Sequence, residues 1–244
     1  MSHIHLDIND VSFAYDPTRP VLKNISFHAG ENDAIGLIGA NGVGKSTLLK
    51  LLVGLVSGFT GEVRIEEIPL EKKTLPKIRE RVGYVFQDSD SQLFMTTVRE
   101  DVAFAPRNYG LPEEEVNRRV EEALERVHIT KLADQPIYKL SGGEKKMASI
   151  ATILSMTPDM ILMDEPSAAL DPANRRNLIG IINEFEHLKI IASHDLDFIY
   201  DTCNRVILMH GGQIIRDGAP DEILRDENLL LENGLELPLS FMRR

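Results

Sequence analysis

Short stretches of alternating hydrophobic and polar residues mark the first third of the chain. They predict β-strands at residues 3–8, 11–15, 25–28, 33–38, 61–66 and 82–86. Within the fourth of these, residues 34–38 are apolar at every position, which is typical of a central strand buried on both faces. A glycine-rich loop and a predicted helix at 45–55 follow that strand directly.

The pattern changes to helical spacing in the middle of the chain. Residues 97–154 are mostly helical by this criterion, and the clearest apolar face is formed by Val116, Val120, Ala123, Leu124 and Val127. Strands return at 160–163, 189–193, 205–209 and 213–217, with a helix predicted at 172–187. The sequence therefore predicts an α/β core interrupted by a helical insertion at 88–157, and a tail at 221–244 with two leucine clusters.

Composition and charge narrow the possible functions. The chain has 27 Lys and Arg against 38 Asp and Glu, a net charge of −11 that argues against a nucleic-acid-binding surface. Cys203 is the only cysteine, which excludes an intrachain disulfide and a thiolate zinc site. No apolar run approaches the ~20 residues that span a bilayer, and the first residues lack a signal-peptide pattern. We expect a soluble protein of a reducing compartment that reaches a membrane only through a partner.

Residues 39–47 fit the phosphate-binding pattern G-x-x-x-x-G-K-[ST], with a predicted strand before them and a helix after them. Such a loop wraps its backbone N–H groups around phosphate oxygens, Lys45 adds a charge at the β- and γ-phosphates, and Ser46 is placed for Mg²⁺. The alternative is a glycine-rich turn with a chance lysine. The predicted nucleotide-binding residues of the loop are Gly39, Asn41, Gly42, Val43, Gly44, Lys45, Ser46 and Thr47.

Two adjacent acids end the apolar strand at 160–163. Ligands of open α/β sheets sit at the carboxyl ends of strands, so Asp164 can hold magnesium and Glu165 can act as general base for an attacking water. The alternative is a strand that runs into a solvated turn before Pro166. Taken alone, the two interpretations are equally supported, and the upstream phosphate loop favours catalysis.

A second glycine pair, at residues 140–144, precedes another predicted helix. Ser141 and Glu144 have the spacing of a capping box, which is a purely structural interpretation. However, Gly142 and Gly143 lower helix propensity by ~1 kcal/mol each, a cost that is explained if bare backbone approaches an anion. Because one γ-phosphate needs only one enclosing loop, this segment would contact another face of that phosphate or the nucleotide of another subunit.

Four further residues have both a functional and a structural interpretation. Asp171 can cap the helix that Pro172 begins. His194 follows an apolar strand, where a histidine is more often structural than catalytic. Gln87 follows the strand at 82–86 as a loop residue would, and Tyr15 can stack on an adenine or simply pack.

Together, and in this order, these motifs resemble the nucleotide-binding subunit of ABC transporters over nearly the whole chain. The resemblance implies a P-loop NTPase core, namely a RecA-like sheet with an antiparallel β-subdomain, and an inserted α-helical subdomain, all within one ABC ATPase domain at 1–244. It equates residues 39–47 with Walker A, 140–144 with the signature, 164–165 with Walker B and 167–171 with the D-loop.

The same resemblance implies roles for single residues. Tyr15 would stack on adenine, Gln87 would be the Q-loop glutamine and His194 the switch histidine, with ATP as substrate and Mg²⁺ as cofactor. The implied catalytic residues are Glu165, His194, Gln87 and Lys45; the implied Mg²⁺ ligands are Ser46, Gln87 and Asp164; and the implied phosphate contacts of the signature are Ser141, Gly142 and Gly143. The signature departs from the common form at Glu144 and Met147, but its phosphate-facing residues are intact.

A finer resemblance is to the ATPases of energy-coupling-factor (ECF) transporters, especially their cobalt and nickel branch. It is carried by residues 86–94, 98–106, 108–112, 141–146, 218–223 and 234–238. It implies an importer of cobalt or nickel ion, or of a vitamin, whose solute does not touch this subunit.

The machine implied by the family is a head-to-tail dimer with a second copy or a homologous ATPase subunit, which the tail at 221–244 would stabilise. The insertion would grip an integral membrane subunit, so the chain would lie at the cytoplasmic face of the cell membrane as a peripheral protein and bind no nucleic acid. Leu93, Phe94, Met95 and Val98 form an apolar border beside Gln87. Their role is either partner contact or the core of the insertion itself.

Two alternative functions remain within the same family. One is the ATPase of another ABC system, such as an importer of amino acids or other solutes, lipoprotein release or cell division. The insertion border counts against the last two, which are not importers. The other is a soluble ABC ATPase acting on nucleic acid. The stretch between Gln87 and Ser141 is short and lacks sustained heptads, and the chain is acidic, both of which count against that class.

Overall fold

The computed structural model describes residues 4–168 and 170–242. His3, at the start of the first predicted strand, lies outside the described residues, as do Ala169 of the D-loop segment and residues 243–244 of the tail. The strands are β1 (Leu6–Asp16), β2 (Arg19–Ala29), β3 (Ala34–Ile38), β4 (Thr60–Ile65), β5 (Ile68–Pro69), β6 (Val82–Val85), β7 (Met160–Asp164), β8 (Leu188–Ala192), β9 (Arg205–His210) and β10 (Gln213–Gly218).

The helices are α1 (Lys45–Leu52), α2 (Leu75–Arg81), α3 (Val98–Asn108), α4 (Glu113–Arg126), α5 (Gly142–Leu154), α6 (Pro172–Glu184), α7 (Leu196–Thr202), α8 (Pro220–Leu224), α9 (Glu227–Glu232) and α10 (Leu239–Met242). Among the described residues, none of these helices is long and apolar enough to cross a bilayer.

The strands form two sheets. One is antiparallel with the order β2-β1-β4-β5, and the other has the order β10-β9-β3-β8-β7-β6, in which all neighbouring pairs except β9 and β10 are parallel. This arrangement confirms the predicted α/β fold with a P-loop core sheet and an antiparallel β-subdomain. Because the parallel strands share a direction, the carboxyl ends of β3, β6, β7 and β8 meet at one edge of the sheet.

Several predicted element boundaries are wrong, among them the start of β2, which begins at Arg19 and not at residue 25. The two strands predicted at 3–8 and 11–15 are a single strand, β1, which is irregular because Asp10 adopts a left-handed conformation (φ 52°) where the pairing with β2 shifts. Helix α1 ends at Leu52 instead of continuing to 55, since Gly54 (φ 65°) closes the last turn by donating to a helix carbonyl. Helix α6 ends at Glu184, three residues early, because the backbone is extended at the next position.

Helices α3, α4 and α5 pack against one another in the region between β6 and β7. The face of α4 predicted from helical spacing is buried, with Val116, Val120 and Leu124 completely inaccessible. Thr97 and Glu100 cap the start of α3 with reciprocal hydrogen bonds. The apolar residues of these helices belong to one hydrophobic cluster together with α6 and α7, while a second cluster joins the antiparallel sheet to α1 and the other face of the core sheet.

Candidate functional site

The loop between β3 and α1 is shaped by positions that only glycine can occupy. Gly39 and Gly44 have φ angles of 145° and 109°, and a Cβ on Gly39 would collide with the backbone oxygen of Met209. Lys45 begins α1 and is buried, and its Nζ donates to the carbonyl oxygens of Gly39 at 2.7 Å and Ala40 at 3.3 Å. Burial lowers the pKa of this lysine, while the nearby Glu165 and Asp164 carboxylates oppose that shift.

Asp164, at the end of β7, holds two hydroxyl groups. Ser46 Oγ donates to its Oδ1 at 2.8 Å, and the Tyr84 hydroxyl of β6 donates to its Oδ2 at 3.3 Å. Burial and the Asp164 charge raise the pKa of Tyr84, so that its hydroxyl stays protonated and remains a donor. The two hydrogen bonds fix both oxygens of the carboxylate beside the phosphate-binding loop.

Glu165 adopts a left-handed backbone conformation, with φ of 47°, that turns the chain sharply away from β7. Its Oε2 accepts hydrogen bonds from Ser193 Oγ and the His194 backbone N–H, both at 3.2 Å, and lies 2.7 Å from His194 Nδ1. Among the described residues, every hydrogen bond to this carboxylate is made at Oε2. Its Oε1 therefore keeps its capacity to accept a proton.

One pocket of about 380 Å³ joins residues that the sequence analysis selected separately. Its lining consists of Asn41, Gly42, Gly44, Lys45, Ser46, Thr47, Gln87, Glu165 and His194. Gly39 and Val43 support the loop from outside this lining, and Asp164 reaches the pocket through its hydrogen bond to Ser46. Tyr15 does not line the pocket; it is 62% exposed and packs edge-on against Phe13 with ring centroids 4.9 Å apart.

The signature segment lies apart from this pocket. Ser141, Gly142 and Gly143 are absent from its lining, and the first two are exposed at the start of α5. Ser141 and Glu144 form the capping box that the sequence offered as a structural interpretation, with the Ser141 hydroxyl and N–H both donating to Glu144 Oε2. These hydrogen bonds lower the pKa of Glu144. Asp171 caps α6 as predicted, with its carboxylate accepting the backbone N–H groups of Ala173 and Asn174.

Three residues near the pocket were not selected from the sequence. Tyr84 binds Asp164, as described. Lys146 donates to the carbonyl oxygen of Phe86, and Gln92 Oε1 accepts the backbone N–H of Phe86, the residue before Gln87. Lys146 carries a weak sequence signal, because it shares a helix face with Ile150 and Ile153, and a lysine on an apolar face requires an explanation. Tyr84 carries none, since Asp164 is distant in the chain, and two partners of Gln92, Ser149 and Thr152, are distant as well.

The oxygen donors around Ser46 fit magnesium better than a transition metal. The described residues contain no cluster of three or more His, Cys, Asp or Glu side chains that could hold a metal on their own. The Ser46 hydroxyl and the Asp164 carboxylate, 2.8 Å apart, are hard oxygen donors of the kind that share Mg²⁺ with substrate phosphates. These donors therefore fit a Mg²⁺ ion that arrives with a nucleotide.

The comparisons with known proteins all indicate the same family. The family model described as ABC transporter matches residues 22–168. An ABC transporter ATP-binding protein of Geobacter sulfurreducens is 46% identical over 240 residues, covering 98% of this chain and 96% of the relative. The energy-coupling factor transporter ATP-binding protein EcfA of Methanothermobacter thermautotrophicus is 42% identical over 238 residues, covering 96% of this chain and 76% of the relative.

The solved structures lead to the same family. CbiO1 of Clostridium perfringens, described as part of the ABC transporter complex cbiONQ, superimposes with a TM-score of 0.82 at 34% identity and covers 93% of both chains. The fold, the phosphate-binding pocket and the chain-long similarity agree with one another. The chain therefore belongs to the ABC transporter ATPases, the family whose nucleotide-binding domains bind ATP and couple its hydrolysis to transport.

Proposed function

We propose that the chain is the ATPase of an ECF-type importer and that it hydrolyses ATP in the pocket formed by residues 39–47, Gln87, Glu165 and His194. The observation that carries this proposal is the convergence of these four segments, from four different strand ends, on one pocket. The similarity to EcfA along nearly the whole chain supports the ECF type over other ABC importers and over the lipoprotein-release and cell-division systems. Cobalt or nickel ion is the solute class we propose, from the resemblance to that branch.

The loop and its lysine bind the phosphates in this proposal. Backbone N–H groups of the loop cradle the phosphate oxygens, and Lys45 Nζ can exchange its carbonyl partners for them because it lines the pocket. Ser46 and Asp164, together with Gln87, would hold Mg²⁺, which neutralises charge on the β- and γ-phosphate oxygens when bound. Tyr15 would contact the adenine from outside the pocket lining.

Glu165 acts as general base for the attacking water. Its Oε2 is occupied by Ser193 and His194, which orient the carboxylate, and Oε1 is available to accept the proton. His194 contacts both the base and the pocket, so that it can position Glu165 relative to the γ-phosphate. Gln87 orients the water and responds to the γ-phosphate from the carboxyl end of β6, the strand next to β7.

Replacement of the base tests this assignment. In Glu165→Gln the amide oxygen can still accept the hydrogen bond of Ser193, but the proton acceptor is lost. We expect nucleotide affinity to stay within about twofold and turnover to fall by at least about 100-fold, the lower end of what general-base catalysis contributes. Isothermal titration with ADP and a phosphate-release assay measure the two quantities. Near-normal turnover in Glu165→Gln would remove the base from the mechanism.

The signature segment serves the ATP of the other subunit in a head-to-tail dimer, and the tail at 221–244 adds to that dimer. Support comes from the location of Ser141, Gly142 and Gly143 outside the chain's own pocket. The test mixes Lys45→Ala with Gly142→Asp: a mixed dimer has one composite site with both lesions and one with neither. Partial recovery of hydrolysis supports action in trans. No recovery, with mixed dimers demonstrated by cross-linking, contradicts independent composite sites.

The membrane partner docks on exposed aromatic side chains beside the Q-loop, and the chain is thus a peripheral protein at the cytoplasmic face. The predicted apolar border falls into two parts. Leu93 and Val98 are buried in the core of the helices, in agreement with the core alternative for these two residues, whereas Phe94 is 64% exposed. Phe94 packs edge-on against Phe104 and shares a groove with Tyr138, which is 77% exposed. We name Phe94, Phe104 and Tyr138 the docking patch.

Buried Asp101 holds this patch in place, because its carboxylate accepts the backbone N–H groups of Phe94 and Met95 at 3.2 and 3.1 Å. Phe94→Asp should abolish binding of the membrane subunit and solute uptake while basal hydrolysis remains. Leu55→Asp, at another exposed apolar position, is the matched control and should affect neither. Co-purification identifies the partner, and uptake of radioactive nickel or cobalt tests the solute. A fall in uptake that only follows a fall in melting temperature would contradict the docking role.

A further inference from the structure

Lys146 is a buried cation that neither the pocket nor an ion pair explains. Its side chain is 4% exposed and does not line the nucleotide pocket. Its Nζ donates to the backbone oxygens of Phe86 at 2.9 Å and Gln87 at 2.7 Å, and no carboxylate of the described residues forms an ion pair with it. Withdrawing an ammonium from water costs several kcal/mol, so a merely structural position would favour an apolar residue. Burial accordingly lowers the pKa of Lys146, against the opposing charges of Asp88 and Asp164.

Gln92 makes a second connection between the same two elements. Its Oε1 accepts the backbone N–H of Phe86 at 3.1 Å, while its Nε2 donates to Ser149 O at 2.7 Å and Thr152 Oγ1 at 2.8 Å. Both backbone groups of Phe86 are therefore joined to α5, one directly through Lys146 and the other through Gln92. The side chain of the next residue, Gln87, enters the nucleotide pocket.

The other end of this connection is the signature. Helix α5 begins at Gly142 and carries Lys146 on its second turn, so the helix that presents the signature also holds the backbone of the Q-loop residue. An α-helix transmits a displacement along its axis because its backbone hydrogen bonds resist local deformation. Gln87 of one subunit and the signature of the same subunit are thus linked through a continuous set of hydrogen bonds.

We propose that Lys146 is a positioning residue for Gln87 and that, with Gln92, it makes the segment 86–92 and helix α5 move together, so that γ-phosphate at Gln87 repositions Ser141, Gly142 and Gly143 of the same subunit. The inference rests on the proposed function, in which those three residues serve the ATP of the other subunit. Its consequence is that each of the two composite sites reports its occupancy to the other through this lysine.

The neighbouring residue supplies a matched control. Lys145 lies on the same helix turn and also reaches the segment after Gln87, but it does so by an exposed ion pair, with Nζ 2.6 Å from Asp90 Oδ1. Ion pairs at the surface contribute about 0–1 kcal/mol and are screened by salt. Lys145→Met therefore removes the same charge from the same turn without disturbing the buried connection that Lys146→Met breaks.

The experiment follows amide hydrogen exchange in a subunit that binds ATP without hydrolysing it or dimerising. The parent carries Glu165→Gln and Gly142→Asp; the second change is compatible with the fold because a Cβ at Gly142 meets no atom within 4 Å. In the parent, Mg-ATP and Mg-ADP should give different exchange rates both at residues 86–92 and at the start of α5. With Lys146→Met the difference at 86–92 should remain, and the difference at α5 should fall about tenfold. Lys145→Met should resemble the parent.

Kinetics of the otherwise unchanged chain give a second measurement. We expect Lys146→Met to lower kcat about tenfold, with KM for ATP and Kd for ADP within about twofold, because the residues that bind the phosphates are intact. Rates are expressed per folded subunit, counted by ADP titration. A merely structural lysine would lower the number of ADP sites and the total rate in proportion, and kcat per site would stay constant.

Several results overturn the proposal. An undiminished ATP-versus-ADP difference at α5 in Lys146→Met would show that the lysine does not transmit it, and an equal loss in Lys145→Met would show that charge alone is responsible. A kcat per folded site that is unchanged in Lys146→Met would likewise show that this lysine does not position Gln87. A parent variant that fails to bind ATP, or that light scattering shows to be still dimeric, instead overturns the proposed function. ATP binding and oligomeric state of the parent are therefore measured before Lys146 is changed.

Discussion

Two buried lysines, one beside the loop after β3 and one beside the residues after β6, have similar surroundings. Lys45 and Lys146 are 7% and 4% exposed, each donates to two backbone carbonyls of a loop, and burial lowers the pKa of both. Asp164 is a charged neighbour of each. By burial, bonding and electrostatics, the two amines are nearly equivalent.

They differ in what else the amine can reach. Lys45 lines the nucleotide pocket, so its carbonyl partners compete with phosphate oxygens. Lys146 does not line it, and its carbonyl partners are the loop that delivers Gln87 to the pocket. A buried lysine beside a phosphate site can therefore bind the substrate or position a residue that binds it. Access of the amine to the pocket distinguishes these two roles.

Removing each amine in turn tests this difference most directly. Lys45→Met should weaken ADP binding by about 10- to 100-fold, because it removes the charge-assisted hydrogen bonds of one lysine to phosphate. Lys146→Met should leave the affinity for ADP within about twofold. Titration calorimetry with ADP measures both. Equal losses of affinity in the two variants would mean that Lys146 also contacts nucleotide, and the distinction drawn from the pocket would be wrong.

The Asp164 carboxylate, which neighbours both lysines, offers a finer test. Tyr84→Phe deletes one hydroxyl and leaves Oδ2 of Asp164 without that donor, so that Ser46 is the remaining hydrogen-bond donor to the carboxylate among the described residues. Loss of a partner that orients a metal ligand lowers metal affinity by about 10-fold or more. We expect this loss for Mn²⁺ binding to the protein–ADP complex, followed by electron paramagnetic resonance.

Tyr109→Phe is the control for this change, because the Tyr109 hydroxyl donates to a backbone oxygen on the surface, remote from Asp164. Its Mn²⁺ affinity should equal that of the unmodified chain. If Tyr84→Phe binds Mn²⁺ as tightly as this control, the hydroxyl does not orient the carboxylate for metal.

The smallest expected effect concerns the cap at the start of the helix that carries Lys146. Hydrogen bonds from Ser141 lower the pKa of Glu144 in the folded chain. The carboxylate therefore stabilises the fold at pH values above its ordinary pKa of 4.5, and this contribution disappears as the pH falls through the folded pKa. Glu144→Gln keeps the acceptor but removes the charge. Its melting temperature should be slightly lower than that of the unmodified chain at neutral pH, and the difference should shrink as the pH falls below 4.5.

Calorimetric melting curves across that pH range check the sign. Because the Ser141 cap is retained, hydrolysis by Glu144→Gln should stay within about twofold. A difference in melting temperature that grows as the pH falls would contradict the direction assigned to this pKa.

Several features that depend on neighbours in the chain could be predicted from the sequence alone. The phosphate-binding loop is one, since its glycines and the carbonyl partners of Lys45, five and six residues upstream, lie within a single turn of backbone. The capping box at Ser141 and the cap at Asp171 are others. The strands of the core sheet were predicted because burial on both faces leaves an uninterrupted apolar run.

The contacts between distant segments depend on the tertiary fold. Lys146 meets the Gln87 carbonyl across 59 residues, Tyr84 meets Asp164 across 80, and His194 meets Glu165 across 29. The tertiary fold also decided that Leu93 is buried while Phe94, the adjacent residue, is exposed. Hydrophobic periodicity sets which face of an element turns inward, but the identity of the partner depends on how sheet order and helix packing bring separate elements together, and no local pattern encodes that order.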